Sequence, residues 1–223
     1  MILDNYKTII FDCDGVVLNS NAIKTNAFYK LSKPFGDASA KTFIDFHKNN
    51  GGISRYKKFD YFVKNIIYEQ IDKKNGEDIK RLIKRLCDEY SEIVIESLLN
   101  SEVALGLKNL RQKTKDSDWM IVSGGDQKEL RLVFEKKNIS KYFNKGIFGC
   151  PTSKYEIIEK CLLNKLIDKR AIFIGDSRLD YKVANHFGID FVFVSAWSEF
   201  ENLYSYAKLK GINVYKKLSN LLD

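Results

Sequence analysis

No apolar run in this 223-residue chain approaches the roughly 20 residues of a membrane-crossing helix, so the sequence predicts no membrane span. The opening residues, Met1-Ile2-Leu3-Asp4-Asn5-Tyr6-Lys7, lack the basic start and long apolar stretch of a secretion signal. The four cysteines (Cys13, Cys87, Cys150 and Cys161) include no C-x-x-C pair. That spacing argues against zinc or dithiol chemistry and for reduced thiols in a cytoplasmic protein. There is no internal repeat, no low-complexity tract and no nucleic-acid-binding motif. The net charge of +8 comes from lysines spread over many segments. It reads as a basic solvated surface, or as a field that steers small anions, and not as a nucleic-acid footprint.

The 44% apolar content is enough for a substantial core, and 30% charged residues is ordinary for a water-exposed globule. Two regimes alternate. Short β-branched runs at 8–11, 119–122, 146–148, 171–174, 191–194 and 212–215 predict strands. Helical patterns at 127–137, 154–164, 179–187 and 199–208 separate the later ones. Strands alternating with helices predict an α/β fold with a parallel sheet. Residues 19–98 differ, with apolar residues at helical spacing: Ala22, Ile23, Ala27, Phe28 and Leu31; then Phe59, Phe62, Val63, Ile66 and Ile67; then Ile79, Leu82, Ile83, Leu86 and Tyr90. The stretch is too long for one crossover and predicts an all-helical lobe inserted after the first strand. The expected division is a core of residues 1–18 and 99–223, with a cap of residues 19–98.

Chemistry concentrates at Asp12-Cys13-Asp14-Gly15, where the first strand runs out. Strand side chains alternate, so Asp12 and Asp14 start on one side while Cys13 faces away. Two carboxylates there suit a hard cation such as Mg²⁺, and one could act as a nucleophile. A solvated Asp-x-Asp-Gly turn is the plainer reading of these four residues alone. Ser123 and Asp176 also fall at predicted strand ends, where ligands of open α/β sheets bind. Ser123, with the amides of Gly124 and Gly125 and the following helix start, could hold phosphate; its rival role is that of an N-cap. Lys154 could be an exposed lysine or a point charge entering the same cluster.

These segments resemble the four motifs of the haloacid dehalogenase-like (HAD) hydrolases: Asp12-Cys13-Asp14-Gly15-Val16, Met120-Ile121-Val122-Ser123, Lys154, and Gly175-Asp176-Ser177-Arg178-Leu179-Asp180. They stand in the family's order and cover residues 8–188. The resemblance implies a Rossmann-like three-layer core with a helical C1 cap. It implies Mg²⁺-dependent hydrolysis of a small phosphorylated metabolite through an aspartyl-phosphate. Asp12 would be nucleophile and metal ligand. Asp14 would be general acid, then general base, and would lend its backbone carbonyl to the metal. Asp176 would be the further metal ligand, Ser123, Gly124 and Lys154 the phosphate-binding group, and Asp180 an orienting residue behind them.

A second acidic residue at position 14 favours phosphomonoester chemistry, because leaving group and water both need a proton carrier. A phosphomutase of the β-phosphoglucomutase type is the nearest alternative. It is disfavoured by Asn19-Ser20 and Lys24, where those relatives commonly have Asp-Ser/Thr and histidine. A non-catalytic HAD-fold binding module and a nucleic-acid binder are further rivals. Within the cap, 47–57 predicts a loop with two glycines, in which Arg55 could clamp an anion and His47 or Tyr56 could bond a leaving group. An ordinary helix connection capped by Ser54 is the competing reading. The runs 123–127 and 146–151 resemble HAD proteins of surface-polysaccharide precursor metabolism. The expected assembly is a monomer or homodimer, with no membrane or nucleic-acid partner.

Overall fold

The computed structural model describes residues 3–71 and 75–222. Six strands form one parallel sheet: β1 (Thr8–Phe11), β2 (Asp118–Asp126), β3 (Ile147–Cys150), β4 (Ala171–Gly175), β5 (Asp190–Val194) and β6 (Val214–Tyr215), in the order β3-β2-β1-β4-β5-β6. All four residues of β1 are buried. Their alternation is visible in the packing. Ile9 and Phe11 join one apolar cluster with Trp119 and Ile121, while Ile10 joins Met120, Val122 and Phe173 on the other side. The helices α5 (Leu107–Lys113), α6 (Gln127–Lys136), α7 (Lys154–Leu163), α8 (Arg178–His186) and α9 (Leu203–Lys210) cover the sheet. The chain runs outward from β1 in both directions, so β1 and β4 flank the point where strand order reverses. A crevice opens there beyond the carboxyl ends.

Between β1 and β2 lie α1 (Asn21–Ser32), α2 (Asp37–Asn49), α3 (Arg55–Tyr61) and α4 (Gly76–Asn100), with no strand among the described residues. This is the all-helical insertion that the sequence predicts after the first strand of a Rossmann-like sheet. Its centre is aromatic. Phe28 packs on Phe43, Phe59 and Tyr90 with ring centroids 5.5, 5.2 and 4.4 Å apart. These rings belong to the same apolar cluster as Phe11 and Trp119 beneath them, so cap and sheet share one continuous core.

Three sequence expectations shift. The strand predicted at 119–122 continues to Asp126, because Ser123-Gly124-Gly125 remains extended across a register shift beside β3. The 59–67 helix ends at Tyr61 and passes into a π-helical turn, Phe62–Ile66, one turn of widened backbone. His47 is not in a loop: α2 continues through it to Asn49, which shortens the connection to 50–54. Ser54 caps α3, its side chain accepting from the Lys57 amide at 3.5 Å. Among the described residues no helix is long and apolar enough to cross a membrane.

The shared core has a mechanical consequence. Phe59→Ala removes a fully buried ring from the cap and should cost about 3–5 kcal/mol. Urea unfolding followed by fluorescence and circular dichroism should still show a single transition. Separate cap and sheet transitions would mean that the continuous apolar contact does not couple them.

Candidate active site

Beyond Phe11 the backbone of Asp12 still bonds to β4, its amide donating to the Ile174 carbonyl at 3.0 Å. The chain then turns on itself. The carbonyl of Cys13 accepts from the Val17 and Leu18 amides at 2.9 Å each. Gly15 adopts φ +77°, and a Cβ there would strike both the Asp176 carboxylate and Asn21. Glycine is thus required twice, for the turn and for the approach of the β4 end.

The turn brings the predicted carboxylates together. Oxygen atoms of Asp12, Asp176 and Asp180 all lie within 4.8 Å of one another, and all three residues are buried. Lys154, the first residue of α7 behind its N-cap Ser153, places Nζ 2.9 Å from Asp12 Oδ1 and 2.5 Å from Asp180 Oδ1. The other Asp180 oxygen accepts from the Ser177 amide at 3.0 Å and hydroxyl at 2.6 Å, closing the capping box of α8. Both Asp180 oxygens are therefore engaged, and the residue holds Lys154 in place. Asn21 Nδ2 donates to Asp176 Oδ2 at 2.7 Å and to the Trp197 carbonyl at 2.8 Å. Asn21 was not singled out from sequence; only the tertiary approach of α1 to β4 makes it a neighbour.

Asp14 points elsewhere. Its carboxylate accepts from Lys24 Nζ and Ser20 Oγ, each at 2.5 Å. Burial alone would raise its pKa, but the Lys24 charge and the hydrogen bonds from Lys24 and Ser20 bring it below the usual carboxylate range. Asp12 goes the other way. Burial pushes it up to about 7, with Asp180 and Asp14 adding repulsion that Lys154 only partly offsets. Asp176 is raised well above the ordinary range by burial, then by Asp12 and Asp180. Two buried carboxylates that resist ionisation beside a third are the electrostatic signature of a position made for positive charge. An all-oxygen donor set of this kind fits a hard divalent cation. The Asp12 and Asp176 carboxylates would hold it. The Asp14 carboxylate, turned toward Lys24, lies outside that group.

Ser123 is fully buried within β2, three residues before its end at Asp126, and its Oγ accepts from the Gly125 amide at 3.0 Å. Asp126, rather than Ser123, caps α6, accepting from the Lys128 and Glu129 amides. Gly124 faces the cap so closely that a Cβ would collide with the Gly52 carbonyl. Nearby, Arg55 donates from both terminal nitrogens to Glu129, at 2.6 and 2.8 Å, and Tyr56 donates to Asp126 at 3.1 Å. Ser91 of α4 also bonds Glu129. Arg55 thus sits at the predicted cleft, but its fork is occupied by a core carboxylate. His47 is buried in the cavity wall, where burial and then the Lys58 charge draw its pKa down to about 4. Asp12, Asp14, Asp176, Gly124, Arg55 and His47 line one cavity of about 200 Å³ between cap and sheet.

The profile of the family described as haloacid dehalogenase-like hydrolase matches residues 9–194. No curated protein matches the chain. Among solved structures, a "predicted phosphoglycolate phosphatase" from Haemophilus somnus superposes with TM-score 0.72 at 18% identity, covering 99% of this chain and 98% of that one. A β-phosphoglucomutase from Clostridium difficile gives TM-score 0.70 at 21% identity, over 97% and 93%. A haloacid dehalogenase-like family hydrolase from Streptococcus pneumoniae gives 0.67 at 18% identity, over 98% of each. At such identities these likenesses speak for the fold. Together with the family match over most of the chain, the carboxylates gathered beyond β1 and β4 lead to one conclusion: this protein belongs to the haloacid dehalogenase-like hydrolases.

Proposed function

We propose that this chain is a Mg²⁺-dependent phosphatase acting on a small phosphorylated metabolite. The observation that carries the reading is the buried group Asp12, Asp176 and Asp180 with Lys154 Nζ 2.9 Å from Asp12. In this reading residues 1–18 and 99–223 are the catalytic core and 19–98 the cap. Asp12, Asp176 and the Asp14 carbonyl would hold Mg²⁺, which would supply the positive charge that favours the ionised form of Asp12.

The chain's own groups divide the rest of the work. Lys154 faces Asp12 from one side and neutralises charge on the transferring group, while Asp180 fixes its position. Ser123 and the Gly124 amide hold phosphoryl oxygens near the end of β2. The ionised Asp12 oxygen attacks phosphorus and the ester oxygen leaves with a proton from Asp14, giving an aspartyl-phosphate. Asp14 then takes a proton from water, which attacks the same phosphorus and releases phosphate from Asp12. In the structure Asp14 is an ionised partner of Lys24, a state suited to the second step. To serve the first step, Asp14 must take its proton as substrate entry loosens the Lys24 pair.

Hydrolysis is preferred over mutase chemistry because Asn19-Ser20 and Lys24, which bonds Asp14 at 2.5 Å, stand where the mutase relatives commonly carry Asp-Ser/Thr and histidine. The buried free thiols accord with a cytoplasmic place. The setting in surface-polysaccharide precursor metabolism rests on the resemblance of 123–127 and 146–151 alone. A screen of phosphorylated metabolites with free phosphate as readout tests the function. Asp12→Asn should abolish turnover while the fold survives; retained multiple turnover would remove Asp12 as nucleophile.

Asp12 and Asp176 also make metal-free stability depend on pH. Their folded pKa values lie above the unfolded carboxylate value of about 4, so the folded state holds extra protons. The stability this confers is complete below pH ~4, and the Asp12 share of it is lost as pH rises through about 7. Mg²⁺ should therefore raise the melting temperature far more at pH 8 than at pH 5, relative to EDTA. Equal stabilisation at both pH values would show that these carboxylates do not bind the ion.

We further propose that the Arg55–Glu129 pair clamps the cap shut. Arg55→Ala and Glu129→Ala should each lower kcat/KM toward every ester, by about ten- to hundredfold. The double variant should be no worse than either single one. If Arg55→Ala impairs bulky esters and Glu129→Ala impairs none, Arg55 binds substrate instead.

A further inference from the structure

Lys58, in α3, is only 3% exposed and lines the same cavity as Asp12, Asp14 and Asp176. Two other lysines of this region have carboxylate partners: the half-buried Lys24 has Asp14, and the buried Lys154 has Asp12 and Asp180. Among the described residues no carboxylate pairs with Lys58. Its Nζ meets one hydrogen-bond partner, His47 Nδ1 at 2.7 Å, and lies 5.4 Å from the centre of the Phe28 ring.

The polarity of this contact can be worked out from the chain behind it. Thr25 has one hydroxyl proton, and it goes to Glu199 Oε2 at 2.5 Å. Burial alone would raise Glu199, but the His47 ring 3.8 Å away and the hydrogen bond from Thr25 bring it below its usual range, so it is an anion and can only accept. Thr25 Oγ1 must then accept from His47 Nε2, 2.9 Å away. That places the imidazole proton on Nε2 and leaves Nδ1 as an acceptor. Lys58 is therefore the donor to Nδ1. The line Lys58–His47–Thr25–Glu199 fixes the ammonium in one direction, with its remaining protons unclaimed among the described residues.

A desolvated cation without a paired carboxylate is costly, and the single hydrogen bond to a neutral imidazole does not repay it. Burial and then the nearby Lys24 charge accordingly draw the Lys58 pKa down to about 7. An anion entering the cavity relieves both effects. Resting on the phosphatase reading above, we infer that Lys58 binds a second anionic group on the leaving-group side of the substrate. The substrate is then a phosphomonoester that also carries a carboxylate or a further phosphate.

Three two-carbon esters test this and separate the two anions: phosphoglycolate, ethylene glycol bisphosphate and 2-hydroxyethyl phosphate. With Mg²⁺, the wild-type protein should favour one of the two anionic esters over the hydroxyl ester by about ten- to hundredfold in kcat/KM. Lys58→Met should bring that ratio close to one, and Lys58→Arg should retain most of it. Lys58→Gln, which keeps length and hydrogen bonding without charge, serves if the methionine variant does not fold. A wild-type ratio near one, or a ratio that survives loss of the charge, overturns the inference. Turnover of p-nitrophenyl phosphate reports separately on the phosphatase. Its presence without an anion preference removes only the role of Lys58; absence of turnover on all four esters overturns the phosphatase reading and this inference with it.

Discussion

The structure turns on an electrostatic crowding problem. Three buried carboxylates meet beyond β1 and β4, and one ammonium, Lys154, stands against them. Burial first, and then their mutual repulsion, makes Asp12 and Asp176 hard to ionise until positive charge arrives. The same repulsion would drive apart any looser scaffold. It is contained because β1 is hydrogen-bonded on both sides, and because Gly15 lets the chain fold back without touching Asp176.

Asp180 illustrates how a residue near the reacting centre serves it indirectly. Both its oxygens are engaged, one by Lys154 and the other by the cap of α8. It joins a helix start to the ammonium that faces Asp12, so the position of Lys154 is set by secondary structure rather than by a flexible four-carbon stem. Asn21 does the same for Asp176 from the cap side.

The cap is joined to the core in two physically different ways. Apolar continuity runs from Phe11 and Trp119 to Phe28 and Phe59. At the rim the contacts are polar: Arg55 on Glu129 and Tyr56 on Asp126, with Gly52 and Gly124 in close approach. Between these lies a cavity whose floor is acidic and whose cap side carries Lys24, Lys48 and Lys58. In the proposed reading, a phosphate ester would meet the acidic floor at one end and the cap lysines at the other, which would let the cap select leaving groups by charge as well as by size.

Much of this was legible in the sequence because the signals are local. A β-branched run ending in Asp12-Cys13-Asp14-Gly15 encodes a strand and its turn, and alternation alone separates Cys13 from the aspartates. The order of Asp12, Ser123, Lys154 and Asp176 pointed to the family, and Asp12 and Asp176 follow β1 and β4 directly, since a parallel sheet gathers its carboxyl edges. Periodicity placed helices between residues 19 and 98. What the sequence could not contain were the partners made by folding. Arg55 read as a free cation until Glu129, distant in sequence, came within 2.6 Å of it. His47 read as a loop residue until α2 extended through it, and Lys58 was one lysine among many until the cap buried it without a counter-ion. Burial and charge pairing depend on what lies across the cavity, and only the tertiary structure decides that.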